Sequence, residues 1–146
     1  MLLVEDNAIN RMVMQKQLES LGYTVEMAED GYDGLRKFQE GSFALVLTDC
    51  HMPGMNGFDM AEQIRSKEKE LGRQPTPIIA VTASPLQQDQ TRSAQSGMNG
   101  FLTKPIRLEA LEATLGRWVE APEPAHVASV VALADRKGQT ITRPDR

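Results

Sequence analysis

At 146 residues, with 40% hydrophobic and 25% charged side chains, the chain has the size and composition of one soluble domain with a real core and a short tail. A net charge of -4 disfavours a nucleic-acid surface, which needs a basic stripe to displace counterions from phosphate. One cysteine, Cys50, excludes an internal disulfide, and the apolar runs are too short to cross a bilayer; with Glu5-Asp6 following Met1-Leu-Leu-Val directly, no secretory signal is read and a cytoplasmic location is expected.

Met1 to Val4 reads as the end of a strand that stops at two acids. Over Asn10 to Leu21 a helix is expected, with Val13, Met14, Leu18 and Leu21 inward, Arg11, Gln15, Lys16 and Glu19 outward, and Gly22 as its stop. Tyr23 to Ala28 reads as a strand, and Asp30 caps a helix running through Leu35 and Phe38 to Gly41. The run from Phe43 to Asp49 is apolar enough to be a strand covered on both faces, closed by Pro53-Gly54. Asn56 then caps a helix carrying Phe58, Met60, Ala61 and Ile64, which fades into a solvated charged stretch from Ser66 to Arg73.

Ile78 to Thr82 is a second strand buried on both faces. Ser84-Pro85-Leu86-Gln87 forms a capping box that starts a helix. Its body, Gln87 to Gln95, is nearly all polar, so it should be the most mobile helix. Gly100 to Lys104 is a last strand, and Leu108, Leu111, Leu115, Trp118 and Val119 form the inward stripe of a last helix. Residues 1–121 thus read as five strand–helix units and 122–146 as a flexible tail or linker. Regular alternation implies an α/β fold with a parallel sheet between two helical layers.

In such a sheet the carboxyl ends of the strands are the site of chemistry. They bring Glu5, Asp6, Asp49, Thr82 and Lys104 to one edge. Three converging carboxylates repel one another unless a cation enters, and an all-oxygen donor set suits Mg²⁺, with Mn²⁺ as a substitute. A metal, a carboxylate nucleophile, a lysine and a hydroxyl are what phosphoryl transfer onto Asp49 requires.

Leu3-Val-Glu-Asp6-Asn, Leu47-Thr-Asp49-Cys-His-Met-Pro53-Gly-Met-Asn-Gly57, Val81-Thr82-Ala83 and Lys104-Pro105 together resemble the receiver domain of two-component response regulators, over residues 1–119. The resemblance implies a flavodoxin-like (βα)5 fold with strand order 2-1-3-4-5. It implies that Asp49 is phosphorylated from a phosphohistidine of a histidine kinase or phosphotransfer domain. The metal would be held by Glu5 partly through water, by Asp6 and Asp49, and by the backbone carbonyl of His51. By the same resemblance, Lys104 salt-bridges the site and precedes a cis peptide to Pro105. Thr82 and Phe101 would couple phosphorylation to the face of the fourth helix, fifth strand and fifth helix. Many members carry tyrosine where this chain has Phe101, so coupling here rests on packing without a hydroxyl.

The blocks around Asp6 and Asp49 look most like receivers of hybrid sensor histidine kinases, in preference to a stand-alone regulator; the domain catalyses its own phosphorylation without being a turnover enzyme. A downstream protein is expected, with no nucleic-acid or membrane contact, and a monomer or weak phosphorylation-dependent dimer. A phosphatase or mutase would want an acid where His51 stands, a flavin carrier would be repelled by Glu5-Asp6, and a docking module that is never phosphorylated leaves the polar set unexplained. His51 and Ser84 flank the pocket and bear on phosphoryl lifetime, or else His51 merely faces solvent. Cys50 reads as a packed residue, and His126 has no helical surroundings to make it a relay histidine.

Overall fold

The computed structural model describes residues 1–83 and 87–119; Ser84-Pro85-Leu86 of the expected capping box and the expected tail with His126 lie outside the described residues. Five short runs form strands: β1 (Leu2–Val4), β2 (Glu26–Ala28), β3 (Val46–Asp49), β4 (Ile78–Thr82) and β5 (Gly100–Thr103). Every residue of β1, β3 and β4 is buried, as a central strand with helices on both sides requires. The sheet is parallel in the order β2-β1-β3-β4-β5, as the resemblance implies. Its register sets Val4 beside Thr48, Asp49 beside Val81 and Thr82 beside Thr103, so the residues that leave these strands emerge together along one edge.

The helices are α1 (Ala8–Ser20), α2 (Gly31–Glu40), α3 (Gly57–Leu71), α4 (Gln87–Gln95) and α5 (Leu108–Trp118). Strand side chains alternate between two cores. Leu3, Leu47, Ile79 and Val81 meet Met14 and Leu18 of α1 and Leu111 and Leu115 of α5. Leu2, Val4, Val46 and Ile78 meet Phe38 of α2 and Phe58, Met60 and Ile64 of α3. Among the described residues no helix is long and apolar enough to cross a membrane.

Local signals placed the helix ends well. Asn7, Asp30 and Asn56 each accept an N–H three residues on, and Gly72 closes α3 at φ 68°. Five expectations need correction. Asn7, not a residue near Asn10, starts α1, and β2 begins only at Glu26 because its first residues pack against the core outside the ladder. Val13 is 50% exposed, since the chain around Lys104, Pro105 and Ile106 stands off α1 and leaves a groove. Leu108 is 40% exposed, so the inward stripe of α5 is narrower than its period suggests, with only Leu111 and Leu115 fully buried. The charged stretch after Ile64 is not solvated throughout. Helix α3 continues to Leu71, and Glu68 is buried because Arg65 Nη1 (2.7 Å) and the Thr76 N–H (2.6 Å) both donate to its carboxylate.

Candidate functional site

Asp49 ends β3, and its side chain is nearly buried. Behind it, the first residue of α3 must be glycine: a Cβ on Gly57 would lie 2.2 Å from the Asp49 carbonyl oxygen, and the Gly57 N–H donates to Cys50 O at 3.0 Å. Helix α3 therefore packs directly on the backbone that carries the carboxylate. Glu5 follows β1 and is 1% exposed, while Asp6 is exposed. One oxygen from each of Glu5, Asp6 and Asp49 lies within 4.8 Å of the others.

Lys104, just past β5, reaches across the edge. Its Nζ donates to Glu5 Oε1 at 2.9 Å and to Asp49 Oδ2 at 3.4 Å, and its N–H donates to Thr82 O at 2.7 Å. The bond from Lys104 to Pro105 is cis. Glu5 is further held by the Asn7 N–H on Oε2 (3.1 Å) and by Arg11, whose Nη1 donates to the Glu5 carbonyl at 2.7 Å. The other Asp49 oxygen, Oδ1, faces the His51 N–H at 3.4 Å.

Burial is the main influence on Glu5 and pushes its carboxyl above the usual range; the bonds from Lys104 and Asn7 pull the other way without cancelling it, and the charge of Asp49 adds to the rise. For Lys104, burial acts to lower the ammonium, but the bond to Glu5 and the charges of Asp49 and Glu5 prevail and raise it. The cluster thus sets three carboxylates against one ammonium. Such a site attracts a hard cation, and its donors are all oxygen.

Thr82, at the end of β4, is buried and borders a crevice with Cys50, Asp89, Ser93 and Phe101. Phe101 is 37% exposed, on the outer side of that crevice. The Cys50 thiol is pushed up to about 12, first by burial and then by the charges of Asp49 and Asp89, so it is protonated at neutral pH. His51 does not simply face water: its Nε2 lies 3.3 Å from Asp89 Oδ2 on α4. Reasoning from sequence missed Asp89, Arg11 and Asn7 as parts of this neighbourhood. Nothing in a stretch of sequence ties Asp89 to a histidine 38 residues earlier; Asn7 was legible as an acceptor-type cap, and Arg11 was taken for a solvent-facing residue.

Beside the carboxylates runs a groove of about 380 Å³ lined by Asn10, Val13, Gln17, Lys104, Pro105 and Ile106. Val13 lines it, and α1 also exposes Ile9 and Met12, each half or more exposed.

The sequence profile of the response regulator receiver domain matches residues 1–116. The sensor histidine kinase RcsC of Salmonella typhi is 38% identical over 119 residues, which are 82% of this chain and 12% of that protein. The sensor protein GacS of Pseudomonas syringae pv. syringae is 38% identical over 117 residues, 80% of this chain and 13% of that one. The chain therefore spans about an eighth of the length of these relatives. Among solved structures, the receiver domain of the sensor histidine kinase PA1611 from Pseudomonas aeruginosa, with magnesium coordinated in its active site cleft, superposes with a TM-score of 0.73 at 38% identity, covering 80% of this chain and 93% of that one. A co-crystal structure of the Saccharomyces cerevisiae phosphotransfer protein Ypd1 with the receiver domain of Ssk1 gives 0.76 at 34%, covering 80% and 86%.

Proposed function

The chain belongs to the response regulator receiver domain family, and on that footing we propose that Asp49 accepts a phosphoryl group from a phosphohistidine and thereby switches a protein-interaction surface in a phosphorelay. The observation that carries this reading is the meeting of Glu5 and Asp6 with Asp49 and Lys104, from three distant stretches of the chain, in one cluster in which Lys104 binds both Glu5 and Asp49. In the transfer, an Asp49 carboxylate oxygen forms the new O–P bond while the P–N bond to the donor imidazole breaks, the ring leaving with the electron pair. Lys104 faces the attacked group with positive charge, and the His51 N–H offers a donor beside it. Gly57 and the β3 backbone fix the direction of the carboxylate.

The excess of carboxylate and the oxygen-only donor set fit a divalent ion. Glu5, Asp6, Asp49 and the backbone carbonyl of His51 would hold Mg²⁺, or Mn²⁺ in its place, and when bound it supplies positive charge to the phosphoryl oxygens. The neighbouring receiver of PA1611, solved with magnesium, supports the choice of metal.

The partner that delivers the phosphoryl group is a histidine kinase or a phosphotransfer protein, of the kind Ypd1 represents for Ssk1. The exposed apolar side chains of α1, Ile9, Met12 and Val13, are where such a partner would dock. A downstream protein would read the face of α4, β5 and α5, with Thr82 and Phe101 as the switch pair; the domain acts as a monomer or a weak dimer formed on phosphorylation. Residues 1–121 form the receiver unit and 122–146 a tail or linker. The parent is a hybrid sensor histidine kinase, in keeping with the similarity to the sensor histidine kinase RcsC and the sensor protein GacS, with this portion on its cytoplasmic side.

The test is incubation with a small phosphodonor and Mg²⁺, followed by intact mass. One phosphoryl group is expected on the wild type and none on Asp49→Asn or after chelation of Mg²⁺. A wild type that takes up nothing, or an Asp49→Asn variant that still does, overturns the reading.

A further inference from the structure

We propose that His51 and Asp89 form a strut through which the phosphoacceptor loop and α4 constrain each other, so that Asp89 acts on Asp49 through His51 as a positioning residue. The inference rests on the phosphoacceptor reading of Asp49 and adds a residue and a route to it.

His51 touches both sides. Its backbone N–H lies 3.4 Å from Asp49 Oδ1, while its imidazole Nε2 lies 3.3 Å from Asp89 Oδ2 in the first turn of α4. With hydrogen on Nε2, the neutral ring donates to the carboxylate, so the link needs no charge on histidine. A second contact closes the loop back to the same helix. The Phe58 ring stands edge-on to His51, 5.9 Å between centroids, and the Arg92 guanidinium lies 4.4 Å over that same ring. Asp89 and Arg92, one turn apart on α4, therefore both bear on His51, Asp89 directly and Arg92 through Phe58 of α3.

The strut matters because the described residues of α4 bury little apolar surface. Among the described side chains of α4 only Ser93 is buried, and it is polar, its hydroxyl donating to Met98 Sδ at 3.3 Å. The Asp89 side chain is 16% exposed against 59% for His51, so the carboxylate is drawn inward beside the crevice that Thr82 borders. A withdrawn carboxylate that loses a donor must regain one from water, which draws the first turn of α4 outward. Phosphorylation acts on the same strut from the other end, because a phosphoryl group on Asp49 competes for the His51 N–H. Coupling of this kind is reciprocal: what holds α4 alters the phosphoryl site, and what fills the site alters α4.

The experiment compares wild type with His51→Ala, Asp89→Ala, the double variant, His51→Gln and Thr91→Ala, an exposed α4 control. Two quantities are read: hydrogen exchange of the α4 amides without phosphodonor, and the half-life of the aspartyl phosphate formed with a small phosphodonor and Mg²⁺. Each alanine variant should speed α4 exchange roughly two- to tenfold, the equilibrium worth of one hydrogen bond. Each should also change the phosphoryl half-life in the same direction as the other, with the double variant no further from wild type than the larger single. His51→Gln, which keeps a donor, should recover most of the exchange protection, and Thr91→Ala should alter neither quantity. Additive effects, or a half-life that responds to His51→Ala and not to Asp89→Ala, overturn the strut. A wild type that takes no phosphoryl group sinks the functional reading instead, and the exchange arm then still tests the contact.

Discussion

Helices α3 and α4 follow successive strands and touch through Arg92 and Phe58, yet they are held by opposite means. Helix α3 buries Phe58, Met60, Ala61 and Ile64 and sets Gly57 against the Asp49 backbone. Displacing it would expose apolar area at about 25 cal/mol per Å². Helix α4 buries only Ser93 among its described side chains and leans on polar contacts to His51 and Met98 and on the Phe58 ring. Such contacts exchange for water at a net cost of about 0.5–1.5 kcal/mol each. One wall of the phosphoacceptor site is thus fixed and the other replaceable, which is the asymmetry a switch needs.

The largest effects should come from breaking the fixed wall. Ile64→Ala should lower stability to urea by about 2–5 kcal/mol, whereas Ser93→Ala in α4 should cost no more than about 1.5 kcal/mol. Equal losses would erase the contrast between the helices. Next, Gly57→Ala should cost about 1–3 kcal/mol by overpacking and slow phosphoryl uptake, because its Cβ would be driven against the Asp49 carbonyl. Gly116→Ala, where a Cβ would meet nothing within 4 Å, should instead gain about 0.5–1 kcal/mol and leave uptake alone.

A sharper probe is Cys50, 1% exposed beside the crevice at α4, with its thiol pushed up to about 12. Alkylation at neutral pH should be slow and its rate insensitive to low urea, as expected when α4 opens locally. Labelling that proceeds only at the rate of global unfolding would mean that α4 is held as firmly as α3.

The smallest effect concerns the carboxylate cluster itself. Because burial raises Glu5 above its unfolded value, the folded state holds that proton more tightly. Stability from this group is therefore present at acid pH and falls as pH climbs through the ordinary carboxylate range to the raised value. Glu5→Gln should accordingly raise the urea midpoint at neutral pH, lose that advantage in acid, and forgo much of the stabilisation that Mg²⁺ gives the wild type. A midpoint lowered at neutral pH without divalent ion would mean that the bond from Lys104 outweighs the burial of Glu5.

Much of this was legible along the chain. Caps at Asp30 and Asn56, the glycine stops at Gly22 and Gly41 and the doubly buried run of β4 are local signals that the structure uses as read, while the run expected from Phe43 pairs as β3 only from Val46. The polar set at the strand ends was legible for the same reason: position at the end of a strand is a sequence property once the alternation is recognised. Val13 and Leu108 failed because a helical period gives a direction around the axis and not how far a neighbour reaches beneath each turn. Glu68 failed because its partners Arg65 and Thr76 become a cage only when the chain turns back after Gly72.

Residue order alone settled that strands and helices alternate and that carboxylates, a hydroxyl and an ammonium leave the strands on one edge, since short-range sterics and hydrophobic period act within a few residues. Distances within that edge were decided by tertiary structure: which carboxylate Lys104 grips, how deeply Glu5 is sunk, and that His51 meets Asp89. Those depend on the register of parallel strands joined by long crossovers and on the seating of each helix, which no local stretch of the chain encodes.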